Sequence, residues 1–181
     1  MLLAMSVDEM TFNDFFDRLI KNEGGYVNNP KDPGGETNWG ITWPKLREAI
    51  GMGLVPSDTT IARLNRDQAR IIYRALFWEK GRMDQFDPAV SFQVFDFAVN
   101  SGIDTAIRHL QRAAGVAEDG NVGPVTIAAI NHRKPQIIVL LFIAERLDFW
   151  RHLSTWPTFG NGWTARAAMD LRYAAQDLEE K

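Results

Sequence analysis

The stretch from Glu23 to Thr42 restricts the fold more than any other, because an apolar helical pattern runs into it and cannot run through it. Upstream, Phe12, Phe15, Phe16, Leu19 and Ile20 recur at the steps of one helix face. Glu23-Gly-Gly ends that pattern, since glycine accepts the left-handed backbone used at helix ends. From Tyr26 to Ile41 the density of Asn, Pro and Gly excludes a helix and predicts a long loop or a small β-hairpin. At about 100° per residue, Glu23 returns to nearly the direction of Phe12, so a carboxylate closes an apolar stripe. Burial of such a group favours its protonated form, which is what a general acid needs at neutral pH.

The rest of the chain predicts helices. Thr11 and Asp14 open the first one, with Ser6 and Glu9 as an earlier start. Thr42 caps a short helix through Leu46 and Ile50. Asn65 and Gln68 form a capping-box pair ahead of a helix from Arg66 to Lys80. Asp87-Pro88 opens a helix over Ala89 to Asn100 that is apolar on most sides and therefore central. Asp104 is expected to cap Thr105 to Ala114. Pro124 and Pro135 each start a further helix, the second running through Leu147 towards Leu153. Ser154 to Gly162 reads as a Trp/Pro/Gly loop before a last helix from Trp163 to Leu178. The expected fold class is mainly α, a helical globule with a hairpin or loop insertion after the first helix.

Composition removes several classes of function. A net charge of −3 and the lack of a Lys/Arg cluster argue against a nucleic-acid partner. With no cysteine there is no disulfide, thiolate metal site or thiol nucleophile. His109, His132 and His152 lack a mutual ligand spacing and fit surface or helix-end positions, and Asp119-Gly-Asn121 lacks the acidic spacing of a calcium loop. No Gly-x-Ser-x-Gly elbow is present. The expectation is no metal and no organic cofactor. Met1-Leu-Leu-Ala-Met5 has no basic flank and is too short for a secretory core or a membrane span. That predicts a chain made in the cytoplasm without a recognisable signal peptide.

Glu23 and Asp32 are separated by turn-forming sequence that can fold the second back towards the first. Glycoside cleavage needs such a pair: one group to protonate the leaving oxygen, one to activate water or stabilise positive charge. Equally, Glu23 fits a solvated helix end and Asp32 the start of an Asp-Pro-Gly-Gly turn. Tyr26 and Trp39, with Trp43 nearby, offer flat rings either to sugar faces or to a hydrophobic staple. Trp78, Trp150, Trp156 and Trp163 fit core or interhelix packing.

Several separated motifs in order decide between these readings. Glu23-Gly-Gly-Tyr26, Asp32-Pro-Gly-Gly35, Thr37 and Gly40-Ile-Thr42 resemble the signature of glycoside hydrolase family 108, the bacterial and phage N-acetylmuramidases. Phe95 to Gly102, Leu110 to Gly115, Asp119-Gly120, Gly123-Pro124 and Thr126 resemble the peptidoglycan-binding segment that follows in that family. Phe159-Gly-Asn-Gly-Trp163 and Arg166 resemble its C-terminal pattern.

The resemblance implies a lysozyme-like fold, with residues 1–88 catalytic and 89–181 binding peptidoglycan, the two packed as one globule. It implies Glu23 as the catalytic acid. Asp32 keeps the interval found in phage lysozymes, but Asn38 holds the position of their Thr, and Thr37 comes one residue early. The expected catalytic set is therefore Glu23, Asp32, Thr37 and Asn38, with Glu36 in reserve. The expected sugar contacts are Tyr26, Trp39, Asp96 and Asn100, although a carboxylate on a buried helix also calls for hydrogen-bonding partners. The implied activity is endolysin-like hydrolysis of bacterial peptidoglycan by a monomer that reaches the cell wall after release. The rivals are a lytic transglycosylase and a non-catalytic peptidoglycan-binding module.

Overall fold

The computed structural model describes residues 7–21, 25–28 and 35–179. Within them the chain is mainly α, with one two-stranded antiparallel sheet after the first helix, as the sequence predicts. By its internal contacts the chain divides into two compact units, Met1–Glu79 and Lys80–Lys181.

In the first unit the elements are α1 (Val7–Ile20), β1 (Thr37–Asn38), β2 (Ile41–Thr42), α2 (Trp43–Gly51), a 3-10 turn (Ile61–Arg63) and α3 (Arg66–Tyr73). The five apolar residues of the α1 stripe are all buried. Their rings meet those of the third helix and the turn that follows it: Phe16 lies 5.6 Å from Tyr73, and Phe12 and Phe15 lie 5.5 and 6.0 Å from Trp78. Asn65 and Gln68 form the expected reciprocal capping box at the start of α3. The single α-helix expected to Lys80 is replaced at its end by a π-helical turn, Arg74–Glu79. The reason lies in the aromatic seam. Five residues along an α-helix point about 140° apart, whereas the wider i→i+5 winding brings Tyr73 and Trp78 towards one direction. Both are buried against α1.

The second unit holds a 3-10 turn (Met83–Gln85), α4 (Pro88–Ser101), α5 (Ile103–Ala114), α6 (Pro124–Asn131), α7 (Pro135–Arg151) and α8 (Trp156–Glu179). Asp87 caps α4 by accepting from the Ala89 N–H at 3.0 Å. Every residue of α4 from Ala89 to Ala98 is buried, and α5, α7 and α8 pack around it. The Ser91 hydroxyl donates to the Met83 carbonyl at 2.6 Å, which joins the preceding 3-10 turn to α4.

Two expected boundaries need correction. Helix α5 begins at Ile103 with Gly102 as its cap, and Asp104 sits inside the first turn, paired with Arg108 at 2.8 Å. Helix α8 begins at Trp156 and passes through the segment read as a loop. Pro157 occupies the first turn, where its missing N–H costs nothing. Gly160 lies under the Trp156 indole, and a Cβ there would stand 2.8 Å from ring atoms, so this glycine serves packing. Trp163 stacks on Trp150 at 5.7 Å and lies 6.2 Å from Trp156 and 5.8 Å from Phe159. Among the described residues, no single helix is long and apolar enough to cross a membrane.

Candidate active site

Glu23 and Asp32 lie outside the described residues. What the structure does show is the hairpin that follows them and its bridge to Val27. Strands β1 and β2 pair Thr37 with Thr42 and Asn38 with Ile41, around a two-residue turn of Trp39 and Gly40. Both turn residues have positive φ, 53° and 72°, the primed geometry that matches strand twist. Glycine adopts it freely, whereas tryptophan pays about 1–2 kcal/mol. Tertiary bonds hold Trp39 there. Its indole N–H donates to the Leu64 carbonyl at 3.1 Å, and the Tyr73 hydroxyl donates to the Trp39 carbonyl at 3.0 Å.

Thr37 is bonded on both sides. It pairs with Thr42 across the hairpin, and its N–H and C=O also exchange bonds with Val27 at 2.9 and 2.8 Å. Tyr26, next to Val27, is 49% exposed, and its hydroxyl accepts from Asn28 Nδ2 at 3.3 Å. Thr37, Tyr26 and Trp39 therefore belong to one small backbone frame. Asn38 belongs to it differently. It is buried, and its Nδ2 donates to the Ile61 and Leu64 carbonyls at 2.9 and 3.1 Å, so its amide hydrogens fasten the hairpin to the turn before α3.

Of the two candidates on α4, Asn100 is open to solvent and Asp96 is not. Asn100 is exposed and accepts from the Ser101 hydroxyl at 2.9 Å. Asp96 is a core ion-pair residue rather than an exposed cleft group. Arg166 donates through Nε and Nη2 to both Asp96 oxygens at 2.7–3.0 Å, and Arg146 Nη2 donates to Oδ2 at 2.5 Å. Arg146, fully buried, reaches Asp170 with its other arm at 2.7 Å and lies over the rings of Trp150 and Phe97. Burial by itself would raise the pKa of Asp96, but Arg146 and then Arg166 outweigh it and hold the carboxyl well below the usual range. Asp170 goes the other way: burial, then the negative charge of Asp96, push it up to about 8 against the pull of Arg146. The cluster thus has two cations, one carboxylate they hold firmly ionised and one carboxyl whose ionisation is opposed.

Sequence reasoning missed Arg146 and Asp170. A signal for the first was present, since an arginine stands among Phe142, Ile143 and Trp150 in an apolar helix. His109, read as a surface or helix-end residue, is buried between the Phe97 and Phe149 rings, and burial first, then Arg112, lower its pKa. The Asp119 turn wraps the buried Gln111 side chain, whose amide donates to Asp119 Oδ1 at 2.7 Å and to the Asn121 carbonyl at 2.9 Å. Among the described residues, no group of three or more His, Asp or Glu side chains could hold a metal ion.

Comparison with known proteins supplies the class of chemistry. Residues 16–102 match the family model described as "Glycosyl hydrolase 108", and residues 105–168 match one described as "Predicted Peptidoglycan domain". Comparison with curated proteins returns no match. Among solved structures the chain resembles that of Brucella abortus SagA, with a TM-score of 0.83 and 35% sequence identity, over 92% of this chain and 95% of that one. The helical, lysozyme-like architecture accords with that likeness. Extending over nearly the whole of both chains, it shows that this protein belongs to the glycosyl hydrolase 108 family and is a glycosidase acting on peptidoglycan.

Proposed function

We propose that the protein is an N-acetylmuramidase, hydrolysing the β-1,4 bond between N-acetylmuramic acid and N-acetylglucosamine. Glu23 protonates the glycosidic oxygen as the bond to the anomeric carbon breaks. Asp32, with Thr37 or Asn38, positions the water that adds to that carbon, or stabilises the oxocarbenium-like charge on it. The observation that carries this reading is the Val27–Thr37 bridge. It ties together the two ends of the turn-rich segment, and Asp32 stands at equal sequence distance from both partners. The bridge thus joins the chain shortly after Glu23 to the strand that carries Thr37 and Asn38. With its amide hydrogens engaged, Asn38 can serve a water only as an acceptor, through Oδ1. The exposed Tyr26 ring offers a stacking face for a sugar. Since both carboxylates come from one stretch of one chain, a monomer suffices, and light scattering in solution would check that state.

The test is digestion of purified peptidoglycan, followed by borohydride reduction and mass spectrometry. Reducible N-acetylmuramic acid ends are expected from the wild type, with a loss of about 10²–10⁴-fold for Glu23→Gln. Anhydro ends would instead assign a lytic transglycosylase. Undiminished cleavage by the variant would remove Glu23 from the chemistry.

A further inference from the structure

The Phe159-Gly-Asn-Gly-Trp163 motif lies far along the chain from the catalytic stretch, and its two glycines behave differently. Gly160 is buried and explained by the Trp156 ring against it. Gly162 is exposed, lies within α8, and a Cβ built there meets nothing within 4 Å. Alanine would fit, and a helix favours alanine over glycine. Packing therefore gives no reason for bare backbone at this position. Close approach of a ligand does.

The surroundings of Gly162 say what kind of ligand. Phe159, Gly162 and Arg166 recur at three- and four-residue steps, so they share one side of α8. Phe159 is 52% exposed, a large area for a phenyl ring. Its ring is backed by Trp163 at 5.8 Å, which rests in turn on the buried Trp150 at 5.7 Å and an interplanar angle of 20°. Arg166, on the far side of the glycine, is fixed by its two-armed contact with Asp96. The result is a stacked aromatic step beside uncovered helix backbone at one residue, Gly162. A β-linked pyranose presents C–H bonds on its flat face and suits such a surface, because burying that face on an aromatic ring removes apolar area from water. Phe159, Gly162, Trp163 and Arg166 fall within the segment that matches the peptidoglycan family model.

We propose that Phe159, Trp163 and the bare backbone at Gly162 form a glycan-binding platform, on which one sugar of the peptidoglycan strand stacks. This rests on the chain's being a peptidoglycan glycosidase, and it adds a holding site on the second unit, built from residues distinct from those proposed for catalysis. A strand gripped there stays with the enzyme between cleavage events.

The experiment uses the full-length chain, purified sacculi and a soluble N-acetylglucosamine tetramer as probes. Wild type is first shown to release reducible ends from the sacculi. If it releases none, the glycosidase reading fails by itself, before the platform is in question. Affinity for both probes and Tm are then compared for wild type, Phe159→Ala and Gly162→Ala. The platform predicts at least a fivefold weaker Kd for Phe159→Ala with little change in Tm. For Gly162→Ala it predicts opposite signs, a Tm raised by a few degrees and binding weakened at least threefold. Wild-type affinity in Phe159→Ala, or a Gly162→Ala variant that loses Tm and affinity together, would overturn the proposal.

Discussion

The two units treat charge in opposite ways. In the first, cations lie over aromatic rings at the rim of the core: Arg18 at 5.1 Å from the Phe15 centroid, Lys45 at 5.3 Å from Phe77, Arg66 at 5.5 Å from Phe16 and Arg74 at 5.3 Å from Phe12. Beneath them is a core of rings and aliphatic side chains. In the second unit a guanidinium is taken wholly inside, with two carboxyls and a second arginine around it. Rim cations keep their water and contribute modestly, about 0.5–1 kcal/mol at exposed sites. A buried ion cluster returns little net stability, but it tolerates only one arrangement of its members. Asp96 on α4, Arg146 on α7 and Arg166 and Asp170 on α8 therefore fix the register of three helices. The first unit ties its hairpin down with one backbone bridge and a few side-chain bonds, while the second is specified from within.

The harshest way to break this contrast is Arg146→Met. It keeps the volume but leaves Asp96 and Asp170 without their shared cation, and the expected cost is about 3–5 kcal/mol. Hydrogen exchange should show lost protection in α4, α7 and α8. Unchanged protection there would mean the cluster does not hold the helices. A smaller loss is expected from Asn38→Ala, which strips donors from two carbonyls and should cost about 2 kcal/mol in denaturant unfolding. Asn38→Asp sharpens the point, because it keeps an acceptor for water and loses the donors. If the fastening role dominates, the aspartate variant restores neither stability nor cleavage.

The finest comparison is between the two buried carboxyls. Asp170, with a raised pKa and facing Asp96, Arg146 and Arg166, contributes stability that is full below about pH 4 and lost as pH rises towards 8. Asp96, with a lowered pKa, contributes stability present above the ordinary carboxylate value and lost as pH falls below it. Asp170→Asn should flatten the decline between pH 4 and 8, whose slope is at most about 1.4 kcal/mol per pH unit, with little change below pH 4 and a variant more stable than the wild type at neutral pH. Asp96→Asn should destabilise at neutral pH. Equal behaviour of the two variants in pH-dependent unfolding would sink the assignment.

How much of this was readable beforehand depended on how local the cause was. Asn65 with Gln68, Asp87, Pro124 and Pro135 announce helix starts through bonds or ring constraints within a few residues, and each helix begins where they say. The glycines of α8 misled, because what makes Gly160 helical is the ring of Trp156 lying on it, a contact that composition hides. Asp104 was read as a cap by residue type, but Gly102 already turns the chain with a φ of 92°. In the site, the Glu23-to-Thr42 stretch stood out by its turn chemistry. Asn38's bonds to Ile61 and Leu64 did not, because partners so distant in sequence leave no periodic trace.

The π-helical turn at Arg74–Glu79 has an evolutionary consequence. A wide turn of this kind is what a helix becomes when it gains one residue without a loop to absorb it. Deleting a residue there would leave a smoother helix and a worse protein, since Trp78 would swing away from Phe12 and Phe15. Relatives should therefore vary in length at their loops long before they vary here.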